Sequence, residues 1–301
     1  MLQANTTLSN PHGVMPREAA RSAAWRVPLA EAQALSRQAI FSGLVVLAFL
    51  NGSAEKIYKS VLRDGWVDAA LNTFDVSAIL WFAGAVAALQ LWNAVPAEPR
   101  SRTDLAVAVA AVVLILLPVP VLGWLAIALM GAYLIRSSPA ESSLRRAGVL
   151  AFALSVPLFW ARLLFATFSD LILRLDAKLV GWVIGTSVND NVVPFADGSG
   201  VMFIAPSCSS MSNLSLAFLC AATFVNLQTG DWSRKAMLWT LLACLAVIAL
   251  NVTRISLIGL FPASYDLLHG PIGAGVFGWL TVATIFLICL HGIRNDATRL
   301  A

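Results

Sequence analysis

Residues 236–260 read AMLWTLLACLAVIALNVTRISLIGL, 25 residues that carry one charge, Arg254. As a helix this run is about 37 Å long, enough to cross the roughly 30 Å of hydrocarbon in a bilayer. It reads as a membrane-spanning helix, and the fold class follows from it. Around it, the 301-residue chain is 59% hydrophobic and 12% charged, with mean hydropathy +0.79. That leaves too little polar surface to coat a soluble globule. The bilayer is therefore the first partner.

Further segments of comparable character lie at 36–52, 76–95, 102–117, 119–136, 147–167, 208–228 and 272–292. With 236–260 they predict an all-α polytopic protein of about eight transmembrane helices. Residues 105–135 are read as a hairpin of two spans broken at Pro118 and Pro120, because a single span would throw Arg100 and Arg102 opposite Arg136, Arg145 and Arg146. With the N-terminus inside, only Lys56, Lys59, Arg63, Arg174 and Lys178 fall outside, against 13 Lys and Arg inside, in keeping with the positive-inside tendency.

Residues 1–37 are polar and Arg-bearing, and read as a cytoplasmic tail. Residues 38–301 read as one transmembrane domain. The longest outward connection, 168–207, holds LILRLDAKLVGWVIG, apolar at helical spacing and expected to lie along the interface. It continues into NVVPFADGSGVMFIAP, a hairpin signal centred on DGSG. The net charge of +4 is dispersed over loops rather than gathered in a stripe, which argues against nucleic acid as a partner. Cys208, Cys220, Cys244 and Cys289 show no CxxC or Cys/His ligand spacing, so neither a metal site nor a disulfide framework is expected, and no cofactor is implied.

Three outward-assigned residues carry chemistry. Cys208, in FIAPSCSSMSNLSLAF (203–218), is predicted at the head of the sixth helix with Ser207, Ser209 and Ser210 around it. Unpaired N–H groups there favour a thiolate. Equally, serines cap helices, and a cysteine among them can be incidental. Arg254 sits three residues after Asn251, on the same helical face, at membrane depth. Such an arginine either points into a wet interior or snorkels to the headgroups. His269 lies in the next outward segment, where Asp266 at i−3 is placed to orient its ring; a loop histidine can also be merely solvated. Together the three supply a nucleophile, a proton carrier and an oxyanion or carboxylate binder, the parts for acyl transfer. Arg162, flanked by Trp160 and Phe165, reads as pairing within the bundle or snorkelling. Ser212, Asn213 and Ser215 read as site lining or as interhelical polar contacts.

At PSCSS, at NVTR (Asn251 to Arg254) and at His269, the sequence resembles the exosortase/archaeosortase family of membrane cysteine enzymes, over about 190–292. The resemblance implies Cys208 as nucleophile, Arg254 as charge-stabilising or substrate-binding group and His269 as third catalytic member. It also implies substrate proteins with C-terminal sorting signals of the PEP-CTERM type, transfer of the new C-terminus to an acceptor, a link to exopolysaccharide production, and a site on the extracytoplasmic side of a bacterial inner membrane. The family pattern has Gly two residues after the cysteine, where this chain has Ser210, which leaves the substrate motif open. The competing class is a non-catalytic subunit or permease for polysaccharide or lipid export, with Arg254 and His269 lining a conduit.

Overall fold

The computed structural model describes residues 36–94, 101–228, 230 and 232–300. The expected tail, apart from its last two residues, lies outside them. Helix α1 (Arg37–Leu71) is followed by α2 (Ala78–Trp92), α3 (Arg102–Leu116), α4 (Pro120–Ser137) and α5 (Ser143–Leu154). A π turn (Val156–Trp160) joins α5 to α6 (Ala161–Ile184). Strands β1 (Val192–Pro194) and β2 (Val201–Phe203) come next, then a 3-10 turn (Pro206–Cys208), α7 (Met211–Gln228), α8 (Arg234–Leu260), the short α9 (Tyr265–His269) and α10 (Pro271–Leu300).

Among the described residues six segments are long and apolar enough to cross a membrane: Arg37–Leu71, Pro120–Ser137, Ser143–Ile184, Pro206–Gln228, Arg234–Leu260 and Ile272–Ile293. The all-α polytopic class is as expected, while against the expected count of about eight crossings six segments qualify. Helices α2 and α3 have 15 residues each, about 22 Å of helix, shorter than a straight crossing requires.

Serines set many of the helix starts. Ser36, Ser77, Ser101, Ser142 and Ser233 each accept a backbone N–H of the following turn, as good N-caps do. The hairpin break falls where the prolines put it: α3 stops at Leu116 and α4 opens on Pro120.

Two boundaries differ from the sequence reading. Helix α1 runs past residue 52 to Leu71, bending only at Gly65 (φ 78°), because loss of hydropathy ends a span without ending a helix. Likewise the segment expected along the interface is the continuation of the fifth span's helix. It is kinked at Phe168 (φ −123°, ψ 23°) but continues to Ile184, and Gly185, left-handed at φ 80°, terminates it.

Contacts between helices sort their ends into two sets. At one end, the buried Arg37 of α1 donates to Asp104 at the start of α3 at 2.8 Å and reaches Ser137 and Ser138 at the end of α4. At the same end Ser42 bonds Ala88 of α2, Gln90 bonds Asn226 of α7, and Asn226 bonds Arg146 of α5. At the other level, Asn51 and Gly52 of α1 meet Ile115 of α3 and Trp124 of α4. These pairings are those of alternating antiparallel helices. Close approach of α4 and α5 depends on paired glycines: a Cβ on Gly131 would sit 2.9 Å from the Gly148 carbonyl, and one on Gly148 2.7 Å from Leu134.

The apolar interior falls into two clusters. The larger unites α1 to α5, α7, α8 and α10 around Trp124, Phe41 and Leu219. The smaller joins α6, the hairpin and the second half of α8 through Ala177, Val180, Val193, Met202 and Ile255. Against this smaller cluster pack Cys208 and Leu268.

Candidate functional site

Strands β1 and β2 pair antiparallel with Val193 opposite Met202, and those two side chains turn inward. The DGSG turn is closed by Asp197, whose Oδ1 accepts from Ser199 N–H (2.9 Å) and Oγ (2.7 Å). These donations hold the Asp197 carboxyl below its ordinary pKa. The hairpin docks on α8, where Ala196 N–H donates to the Gly259 carbonyl at 2.9 Å. A side chain at Gly259 would run into Met202 and Ile184.

From β2 the chain enters the 3-10 turn Pro206–Cys208, in which Cys208 N–H donates to the Ala205 carbonyl at 2.8 Å. Cys208 therefore precedes α7 and does not sit in its first turn, a correction to its expected place at the head of the helix. Ser209 breaks the geometry with ψ 142°, and its Oγ accepts from Met211 N–H at 3.2 Å. The start of α7 is met instead by Asp176 of α6. Its carboxyl accepts Ser210 N–H at 3.0 Å and Ser210 Oγ at 2.8 Å. Negative charge is favourable at a helix N-terminus, and here a buried acid supplies it. The hydroxyl recorded beside the Cys208 sulfur is Ser207 Oγ, at 4.0 Å.

Asn251 clamps this loop from α8. Its amide nitrogen donates to the Cys208 carbonyl at 2.7 Å and to Ser210 Oγ at 3.1 Å. Ser210 is thus a buried hub between Asp176 and Asn251, a task that glycine could not perform. One turn further along α8, Arg254 donates through Nε to the Leu268 carbonyl at 3.3 Å. Among the described residues no carboxyl group pairs with Arg254, so its two terminal nitrogens are left for other acceptors. Leu268 precedes His269, the last residue of α9.

The His269 ring is exposed and stacks on Tyr265, centroids 4.9 Å apart and planes 10° from parallel. Asp266 is exposed as well, with no hydrogen bond or ion pair between its carboxyl and His269; its carbonyl accepts Gly270 N–H. The expected i−3 orienting pair is replaced by an i−4 aromatic stack. Asn251, Ser209 and Ser210 stand around Cys208, while Arg254 is bonded to the segment that carries His269. The structure thus joins Cys208 to Asn251 and Arg254 to Leu268, with no hydrogen bond among the Cys208, Arg254 and His269 side chains.

Two residues were missed in the sequence. Asp176 lies at 3.6 spacing with Leu173, Ala177 and Val180, all buried. A lone acid on that face, between the exposed Arg174 and Lys178, was the available signal. Tyr265 offered only its i−4 distance from His269. Ser212 lines a polar cavity beside the loop, and Asn213 lines a neighbouring one that shares Asp75, Ser77 and Leu216 with it. Ser215 is buried and donates to the Ser212 carbonyl at 2.7 Å.

Asp176→Ala removes two hydrogen bonds to a charged or strongly polar acceptor and leaves Ser210 N–H buried without a partner, a loss of about 2–3 kcal/mol. Amide hydrogen exchange over 208–214 is expected to accelerate, with α8 unchanged; equal exchange in the two proteins would remove Asp176 from its anchoring role. No family model, no curated protein and no solved structure matches the chain.

Proposed function

We propose that the chain is an exosortase-like membrane cysteine peptidase or transpeptidase, acting on exported proteins that carry C-terminal sorting signals of the PEP-CTERM type, at the extracytoplasmic face of a bacterial plasma membrane. One observation carries this reading. Asn251 and Arg254, one helical turn apart, bond respectively to the backbone of Cys208 and to the residue before His269. Three stretches distant in sequence thereby meet at one end of the bundle.

In this reading the Cys208 sulfur attacks the carbonyl carbon of the scissile peptide bond, and charge develops on the carbonyl oxygen. The free guanidinium nitrogens of Arg254 stabilise that oxygen, or hold a substrate carboxylate in a two-pronged contact. His269 gives a proton to the leaving amine as the C–N bond breaks. An amine, a hydroxyl or water then displaces sulfur from the thioester. The Tyr265 stack holds the imidazole on the rim, where substrate enters.

Arg254→Ala and Arg254→Lys test the assignment with a tagged substrate bearing a sorting signal. Loss of an oxyanion donor lowers kcat by a factor on the order of 10²–10³, whereas loss of a ground-state anchor raises KM with kcat preserved. Lysine keeps the charge and loses the fork, so it is expected to recover part of the activity at most. Unchanged kinetics in both variants would exclude Arg254 from the reaction.

A further inference from the structure

Beside the cysteine loop lies a cavity of about 390 Å³ whose wall includes Lys56 of α1, Arg162 of α6, Ser77, Ser209 and Ser212. It holds two cations and one acid, Asp75. The Asp75 carboxyl is already engaged by Arg63 at 3.1 Å, while Lys56 reaches only its backbone carbonyl at 3.4 Å. Among the described residues no hydrogen bond or ion pair ties down the Arg162 guanidinium. A positive charge within an otherwise apolar span is expensive and calls for a partner; the acid that feels Arg162 electrostatically, Glu55, is exposed and already paired with Lys59.

A second cavity of about 640 Å³ adjoins the first across Ala161, Met211 and Ser215, which line both. Its wall is almost wholly apolar, with Trp160, Leu164, Phe168 and Phe218 among its residues. A cationic recess with hydroxyl donors thus opens beside an oily one. Arginine's planar fork suits phosphate oxygens, and lysine adds a compact second charge.

We propose that the two cavities together bind one phosphate-bearing lipid, its headgroup between Lys56 and Arg162 and a hydrocarbon chain along Trp160, Leu164 and Phe168. The site stands on the cavities alone and does not depend on the chemistry proposed for Cys208.

The test uses the full chain purified in neutral detergent and titrated with phosphatidic acid, with phosphatidylcholine and with inorganic phosphate. A photoactivatable phosphatidic acid, reactive along its chain, maps the contact. Each basic contact is worth about fivefold in affinity for an anionic lipid. Lys56→Gln and Arg162→Gln are each expected to weaken phosphatidic acid by about that factor, and the pair by about thirtyfold. Lys59→Gln, a neighbouring exposed cation outside the cavity, is expected to change nothing. Thr167→Trp, which fills the apolar recess, is expected to weaken the lipid and spare inorganic phosphate. Cys208→Ala is expected to bind lipid normally, which separates this site from the peptidase reading.

Label on 160–168 or 214–218, competed by phosphatidic acid and not by phosphatidylcholine, supports the proposal. Label elsewhere, undiminished affinity in the doubly neutralised variant, or inorganic phosphate binding as tightly as the lipid would each overturn it. So would label on the same segments competed by an apolar transmembrane peptide in place of phosphatidic acid.

Discussion

Cys208→Ala is expected to stop release of the shortened substrate, with a fall in rate on the order of 10⁶, as for other nucleophiles that act as part of a catalytic unit. Cys208→Ser is expected to fail nearly as completely. A hydroxyl needs a base in hydrogen-bond contact to become a useful nucleophile, and the group recorded at the Cys208 sulfur is another hydroxyl, Ser207 Oγ at 4.0 Å. The two substitutions separate the competing classes. A conduit for polysaccharide or lipid has no use for sulfur and would tolerate serine, which differs little in size. Cys244→Ser serves as control, since Cys244 lines the apolar cavity and has no part in the proposed reaction. Normal cleavage by Cys208→Ser would remove Cys208 as the nucleophile and with it the cysteine-peptidase reading.

The largest effect on stability is expected at the opposite end of the bundle. Arg37 and Asp104 are only 4% and 2% exposed and are bonded at 2.8 Å. Asp104 also accepts from Tyr133 Oη at 2.8 Å and from Ser101 N–H at 2.6 Å, closing the capping box of α3. Asp104→Ala therefore takes a charged partner from a buried guanidinium as well as losing a cap, a cost of about 3–5 kcal/mol. Thermal unfolding in detergent, followed by tryptophan fluorescence, is expected to shift downward by on the order of 10 °C. Arg37→Met combined with Asp104→Leu removes both charges and is expected to recover most of the loss, because the penalty lies in the buried charge that has lost its counter-charge Asp104 rather than in the missing attraction. A double variant as unstable as the single one would show that the packing of α1, α3 and α4 depends on the pair itself.

How far the fold was legible follows from which forces act locally. Serine caps, the Pro118–Pro120 break and the DGSG hairpin are written in neighbouring residues, and the structure keeps all of them. The lengths of α1 and α6 were less legible, because hydropathy reports where a helix leaves an apolar layer and not where its hydrogen bonds stop. Gly185, by its left-handed backbone, was the true terminator of α6. Arg37 was read with the polar tail, yet it opens α1 and is buried. Its partner Asp104 is one of several and lies 67 residues away, beyond the reach of any pattern in the sequence.

The candidate site divides along the same line. Asn251 and Arg254 were legible as one face of one helix, and their bonds to the Cys208 and Leu268 carbonyls follow from that face pointing inward. Cys208 was assigned to a helix start because the apolar run 208–228 begins there, just after Pro206. The 3-10 turn opened by Pro206 puts it ahead of α7, and the N-terminal charge that the helix favours comes from Asp176, 34 residues before Ser210. Asp266 was assigned to His269 by spacing alone, and the flat face of Tyr265 took that place. Long-range partners of this kind depend on how α6, α8 and α9 pack, which local sequence does not encode.

The most direct measurement is to trap the acyl-enzyme. The full chain is incubated with a labelled substrate peptide carrying a sorting signal, quenched in acid and digested, and the thioester is located by mass spectrometry. The label is expected on the peptide containing Cys208, to be lost on treatment with neutral hydroxylamine, and to be absent from Cys244 and from the fully buried Cys220 and Cys289. Shortened product forming without any adduct on Cys208, or an adduct confined to another cysteine, would contradict the account.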